Sequence, residues 1–246
     1  MHETELWFTA LLNKYLAAPA NAVYNLVGYH TEDPLKPWAN YIAMELLIIA
    51  LLMTVALIVR ASLSVDRPGK LQLVFENIWG FVGTQADEII GHGGKKRLSF
   101  FAMIFLFVVC SNLLGVVPTF ESPTMYYYVP AGLAIATFLY YNGQGIQEQG
   151  IGGHLKHFCG PMWWLAWFMF PLEIISHSIR PVSLTIRLFA NMLAGEQVTV
   201  GFLGMVPWVV PVIFMGLHVF VSFVQAFIFM MLSMVYVSEA VAHEGH

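Results

Sequence analysis

Residues 173–196, EIISHSIRPVSLTIRLFANMLAGE, set two arginines and two glutamates into an otherwise apolar, helix-length stretch. The charges are Glu173, Arg180, Arg187 and Glu196, with His177, Ser183 and Asn191 adding polarity. If the stretch lies in a bilayer, a central arginine costs roughly 2.5 to 3.5 kcal/mol on insertion scales, so each such residue is a functional candidate by default. Glu173, Arg180 and Arg187 recur every seven residues, and Ser183, Arg187 and Asn191 every four. Both sets fall on one face of a helix. Glu196 lies nine residues past Arg187, about half a turn round the helix and about 13 Å further along. Arg187 and Glu196 therefore face different neighbours and do not form a simple ion pair.

A second helix-length stretch carries His218, Ser222 and Gln225 on one face. Between the two stretches, GMVP (204–207) reads as a turn. Glu196 is eleven residues before Pro207 and His218 eleven after it; Arg187 is twenty before and Gln225 eighteen after. An antiparallel hairpin then sets Glu196 level with His218, and Arg187 level with Gln225. A carboxyl and an imidazole at one depth are suited to pass a proton through water. An arginine stays protonated in practice, so Arg187 acts as a fixed charge that repels a migrating proton and attracts a carboxylate. The pattern reads as two aqueous approaches kept apart by a cation. Other readings of the same residues stay open. Arg187 could be a buried structural partner of Glu173 or Glu45, and Arg180 could snorkel to a membrane surface. Asn112, Ser183, Asn191 and Gln225 are each suited to interhelical hydrogen bonds.

The elements that must position these residues are membrane helices. Hydrophobic residues make up 58% of the chain and charged ones 11%, against about 25% charged in soluble domains. The apolar runs are continuous rather than alternating, which selects helices over a barrel. An all-α membrane protein of about five spans is expected, in one transmembrane domain over 41–240 that follows an extramembrane segment, 1–40. The spans fall at about 41–60, 98–117, 129–142, 162–203 and 208–237, with Pro118 stopping the second. The last two are long and form the tilted antiparallel hairpin. Residues 70–92 place Leu71, Val74, Phe75, Ile78, Phe81 and Val82 at helical spacing among polar residues, which predicts an amphipathic helix at the interface. Residues 142–161 read as a hydrophilic loop.

Arg60, Arg67, Lys70, Lys95, Lys96, Arg97 and Lys156 fall in loops on one side of this layout, and Lys14 and Lys36 on the other. The positive-inside rule makes the first side cytoplasmic, with the N-terminus outside and the C-terminus inside. The N-terminal residues lack the basic region and cleavage pattern of a signal peptide. Cys110 and Cys159 carry no disulfide framework. His154, His157 and Cys159 sit in the glycine-rich loop without a second ligand pair, so no metal site is read there. The terminal HEGH (243–246) is not a zinc-protease motif, no glycine pattern fits a phosphate loop, and no basic tail suggests nucleic acid. A self-contained transporter is disfavoured by the absence of an internal repeat, and a purely structural scaffold by the polar stripe.

PVSLTIRLFANMLAGE (181–196), followed by HVFVSFVQAFIFMMLSMVYVSEA (218–240), closely resembles subunit a of the membrane (Fo) sector of F-type ATP synthases. SNLLGVVP (111–118), the five-span order and the amphipathic helix fit as well, so the resemblance covers about 41–240. It implies a non-catalytic stator subunit without cofactor or metal, embedded in lipid, packed against a rotating ring of c subunits and held by peripheral stalk b subunits within the larger complex. It further implies a bacterial inner (plasma) membrane, a proton-translocation set of Arg187, Asn191, Glu196, His218 and Gln225, and an access route including Asn112, Glu173 and Ser183. In that family the arginine at the position of Arg187 faces the ring carboxylate and separates two half-channels. Arg180 stands where the family tolerates a basic residue.

Overall fold

The computed structural model describes residues 6–27, 35–65, 67–91, 94–117, 120–159, 166–203 and 209–241. Seven α-helices and a short 3-10 turn form within them, and no strand. The helices are α1 (Trp7–Val27), α2 (Asn40–Ala61), α3 (Lys70–Ile89), α4 (Gly94–Leu114), α5 (Tyr128–Cys159), α6 (Ala166–Leu203) and α7 (Val209–Val241), with the turn at Pro123–Met125 before α5. Helices follow from the composition, because hydrocarbon offers no partner for an unpaired backbone group. α2, α4 and most of α7 are long and apolar enough to cross a membrane. Leu51, Met53 and Leu57 on α2 and Phe220 and Phe223 on α7 point outward from the chain. In a water-soluble chain such a surface would be a liability; in lipid it is the expected exterior. The chain is an all-α membrane protein.

α6 is 38 residues long, about 57 Å at 1.5 Å per residue, against a hydrocarbon core of about 30 Å. It runs on through Pro171 and Pro181, so Pro181 does not end it, as expected. α5 and α6 carry too many interspersed polar residues to pass the apolarity that α2, α4 and α7 meet. α3 begins where the amphipathic pattern predicts. It packs through Val82 and Ala86, with the Phe81 ring against Phe105 and Phe227, while Leu71 and Val74 face away from the chain. Buried Gln72 ties its first turn to the preceding loop: the Ser64 N–H donates to its Oε1, and its Nε2 donates to the Ser64 carbonyl, both at 3.1 Å.

One expectation needs correction and one segment gains an element. The N-terminal segment, for which the sequence reading gave no element, holds the 21-residue α1, kinked at Leu16 before Pro19. The freed region of that kink is used: Trp38 Nε1–H donates to the Leu16 carbonyl at 3.1 Å. The hydrophilic loop at 142–161 is, as far as Cys159, the second half of α5, which bends at Gly150 with φ of +72°, a conformation that suits glycine. Its polarity is not solvation. Gln144 and Glu148 accept hydrogen bonds from Arg97 Nε and Nη2, both at 2.7 Å, and Gln149 Nε2 donates to the Ala240 carbonyl near the end of α7. Arg97, expected in an open loop, is therefore buried at 4% exposure in the first turn of α4. Pro118, the turn at 204–207, the tail at 243–246 and the side chains of His154, Lys156, His157 and Cys159 lie outside the described residues. Cys110 is a free thiol.

Lipid removes the hydrophobic drive between helices, so close packing and interhelical hydrogen bonds hold the bundle. One core joins Val82 and Ala86 of α3, Phe101 of α4, Tyr141 of α5, and Met230, Met234 and Val237 of α7. The other joins Val108 of α4, Ala134 of α5, Leu184, Leu188 and Met192 of α6, and Phe229 of α7. α7 thus lines both cores, and its far end is tied by Gln149 and by Ser238, whose hydroxyl donates to the Ile89 carbonyl at 2.8 Å. Such bonds contribute about 0.6 to 2 kcal/mol each. They fix the far end of α7 against α5 and α3.

Candidate functional site

The α6 face that packs inward is set by Leu184, Leu188 and Met192, at steps of four. Arg187 lies beside that row, half-buried, at the border with the outward-facing Ile186 and Ala190. Its guanidinium has no hydrogen-bond or ion-pair partner among the described residues. Neither Glu173 nor Glu45 pairs with it, so the structural-pair reading is not what the structure holds. Arg180, one polar step earlier, is different. It does not snorkel free: its Nη2 lies 2.6 Å from Glu239 Oε2 of α7, and it stacks over the Tyr236 ring.

The hairpin register is close to the one that counting from Pro207 predicts. Asn191 Nδ2 donates to Gln225 Oε1 at 2.8 Å, so Gln225 bonds Asn191, one helical turn beyond Arg187. His218 sits against Gly195, the residue before Glu196. A Cβ added to Gly195 would come within 2.8 Å of His218 Nδ1 and 3.1 Å of its Cε1. This is the close approach that only glycine permits. His218 is buried, and its Nε2 has no hydrogen-bond partner among the described residues. A cavity of about 270 Å³ opens beside it, lined by Asn191, Gly195, Phe214, Leu217, His218 and Val221 among others. Glu196 is half-buried at the same level but outside that lining. It lies within electrostatic reach of Glu121, whose Oε2 accepts a hydrogen bond from Tyr126 Oη at 2.7 Å.

Asn112 is fully buried behind Ser222. Its Oδ1 accepts a hydrogen bond from Thr124 Oγ1 at 2.6 Å, and its Nδ2 reaches the Ser222 carbonyl at 3.5 Å. Ser122 Oγ donates to the Ser111 carbonyl, so the connection between α4 and α5 is folded back under the hairpin. Ser183 is half-buried and shares no hydrogen bond with the other site residues. Glu173, about 21 Å before Arg187 along α6, has its Oε1 3.3 Å from His177 Nε2 and pairs with no arginine among the described residues. The structure therefore gathers Asn191, Gln225, His218 and Glu196 beyond Arg187, with Asn112 behind them, and leaves Glu173 alone on the other side. Sequence reasoning missed Glu121, Thr124 and Tyr141. Only contacts more than ten residues away in the chain, or across helices, give them a role. Among the described residues no group of three or more His, Cys, Asp or Glu side chains could hold a metal ion.

Gly195→Ala is expected to push the imidazole of His218 into the cavity while leaving the Asn191–Gln225 bond intact. A misplacement of about 1 Å can cost on the order of a hundredfold in a reaction that depends on positioning. Proton uptake through this side, measured in vesicles with a pH-sensitive dye, should fall at least tenfold at that scale; an unchanged rate would mean that the position of His218 is immaterial.

The ATP synthase A chain family matches residues 42–238. The chain is 55% identical to ATP synthase subunit a of Solibacter usitatus, over 95% of this chain and 100% of that protein. It is 46% identical to ATP synthase subunit a of Koribacter versatilis, over 98% of each. It is 44% identical to ATP synthase subunit a of Sulfurimonas denitrificans, over 73% of this chain and 80% of that protein.

Proposed function

The chain belongs to the ATP synthase A chain family, and from that membership we propose that it is the stator half of the ion path in a rotary F-type ATP synthase. It is a membrane subunit that makes and breaks no covalent bond of ATP itself. Two half-channels carry protons to and from carboxylates on a ring of c subunits, and Arg187 separates them. The observation that supports this reading most is half-buried Arg187 at the outward border of α6, its guanidinium unpartnered among the described residues. A charge kept in hydrocarbon without a partner of its own chain is accounted for when a carboxylate from another chain comes to face it.

On one side of Arg187 the cavity at His218 supplies the inlet. The His218 Nε2 is unpartnered among the described residues and so is available to bond water or to take a proton. The carboxyl groups of Glu196 and Glu121 lie nearby, an acidic surround suited to drawing cations toward the cavity. Asn191 and Gln225, bonded to each other, keep α6 and α7 in register between inlet and arginine. A proton arriving here neutralises a ring carboxylate, which then tolerates lipid, and the ring turns. On the other side of Arg187, Glu173 and Ser183 line the outlet. A proton crossing 100 mV releases about 2.3 kcal/mol, delivered as rotation to catalytic subunits elsewhere in the complex.

The outward apolar faces of α6 and α7, including Ile179, Ile186, Leu217 and Phe220, suit contact with the ring and lipid. Peripheral stalk b subunits would hold the chain against the torque. The excess of cations on the side of Arg60, Arg67, Lys70, Lys95 and Lys96 supports a cytoplasmic C-terminus, an outside N-terminus and α3 on the cytoplasmic surface of a bacterial inner membrane. Purification of the tagged chain from its own membranes in mild detergent tests the reading. A c-subunit ring and stalk subunits should copurify. Ion transport by the chain alone in liposomes would instead assign it to the self-contained transporters.

A further inference from the structure

α1 is built the wrong way round for water. At 3.6 residues per turn, Trp7, Leu11 and Tyr15 share one face of the helix, and Thr9 and Asn13 share the opposite one. The polar face is the one turned to the rest of the chain. Thr9 is 1% exposed and Asn13 8%, whereas Trp7 keeps 57% of its surface open, Leu11 47% and Tyr15 68%. A helix on a soluble protein does the reverse, burying its apolar stripe and wetting its polar one. Two aromatic rings and a leucine in a row, facing away from the chain, call for a medium or a partner to cover them.

Hydrogen bonds hold the inversion in place. The Trp38 N–H donates to Asn13 Oδ1 at 3.0 Å, and Asn13 Nδ2 donates to the Trp38 carbonyl at 3.3 Å. The Trp38 indole N–H donates to the Leu16 carbonyl, and the Leu6 N–H reaches Asn40 Oδ1 at 3.4 Å. These ties end at residues 38–40, where the chain enters the apolar span α2. α1 is therefore fastened at the level of a membrane surface. Other rings gather there: Trp7 lies 6.0 Å from Phe120, and Tyr41, in the first turn of α2, lies 5.5 Å from both Tyr126 and Tyr128. Tryptophan and tyrosine collect at the boundary between lipid and water, where an apolar ring and a polar atom are both accommodated.

Lipid is the occupant these observations favour. The span to which α1 is tied turns Leu46, Ile49 and Leu51 outward, so its exterior is already in lipid. Lys14 is exposed at the edge of the stripe, its Nζ 5.5 Å from the Tyr15 ring centroid. A lysine there can lay its stem along the apolar boundary and bring its ammonium to a phosphate. α1 is not among the helices long and apolar enough to cross, which suits a helix that lies on the membrane.

We propose that α1 is an interfacial anchor for a phospholipid surface. Its Trp7–Leu11–Tyr15 face beds into the boundary between headgroups and acyl chains on the N-terminal side of the membrane, and Lys14 meets the phosphates. The segment before the first span is thus fixed to the bilayer and is not a free extension in water. This anchoring holds whichever way ions pass Arg187.

A photoreactive benzoylphenylalanine replacing Leu11, irradiated in the complete complex within its own membranes, identifies the occupant directly. The replacement is apolar, sits on an exposed position and leaves the bonds between Asn13 and Trp38 untouched, so the complex should assemble; the same group replacing Tyr15 gives a second site if it does not. The chain should gain the mass of one phospholipid, as it should with the group replacing Leu51 on the lipid-facing side of α2. Attachment to another polypeptide, a c or b subunit included, would mark a protein interface and overturn the proposal. No adduct from either α1 position, where Leu51 yields one, would put the face in water and overturn it equally.

Discussion

Arg187→Ala is expected to reduce coupled ATP synthesis to background while the complex still assembles. The side chain makes no hydrogen bond or ion pair within the described residues, so its removal leaves no buried partner stranded, and Leu184 and Leu188 continue to pack α6. What disappears is a fixed positive charge between two aqueous approaches. At an effective dielectric of about 20, a unit charge about 4 Å from a passing proton opposes it by about 4 kcal/mol, roughly a thousandfold in rate. Vesicles carrying the variant should therefore make no ATP from an imposed pH gradient and should dissipate that gradient faster than vesicles of the unsubstituted complex. Synthesis at the normal rate would overturn the assignment. Arg187→Lys should recover only part of the function, because an ammonium is a compact point charge without the planar fork that faces a carboxylate with two N–H groups.

The second large effect is expected at the inlet. His218→Ala should slow proton uptake from the cavity side by about a hundredfold, the lower end of what a positioned proton-transfer group contributes. The substitution enlarges an existing cavity of about 270 Å³ and leaves the Asn191–Gln225 bond in place, so the hairpin should hold its register. Measuring ATP-driven pumping and passive conduction in the same vesicles, with assembly followed on native gels, separates the two roles. Normal assembly with slow uptake supports the imidazole as a proton carrier. A complex that fails to assemble would assign His218 to packing against Gly195. The Glu196 side chain, still present in this variant, reports how far one carboxyl can do the work of the pair.

Much of this was legible in the residue order. Steps of seven and four put Arg187 and Asn191 on one stripe, and counting outward from Pro207 placed Glu196 beside His218 to within one residue. Such arithmetic works because a membrane helix has one period and a hairpin one fold-back point. It failed by one turn at Gln225, which bonds Asn191 and not the level of Arg187, since small offsets in the turn accumulate along two long helices. It also failed at residues 142–159, where polarity was read as solvation. In Gln144, Glu148 and Gln149 the polar groups belong to a helix, and their partners are Arg97 and the Ala240 carbonyl, 47 or more residues away in the chain.

The residue order by itself determined that the chain lives in lipid, that it is helical, and that an arginine is set among apolar neighbours in a helix-length stretch. These depend on composition and on local periodicity, which the backbone reads within a few turns. The folded chain alone decided which polar groups are spent and which are left over. Arg97 and Arg180 are matched by Glu148 and Glu239, Glu173 is matched by His177, and Arg187 is not matched at all among the described residues. Pairing is a property of distances across helices, and no spacing along a single helix contains it.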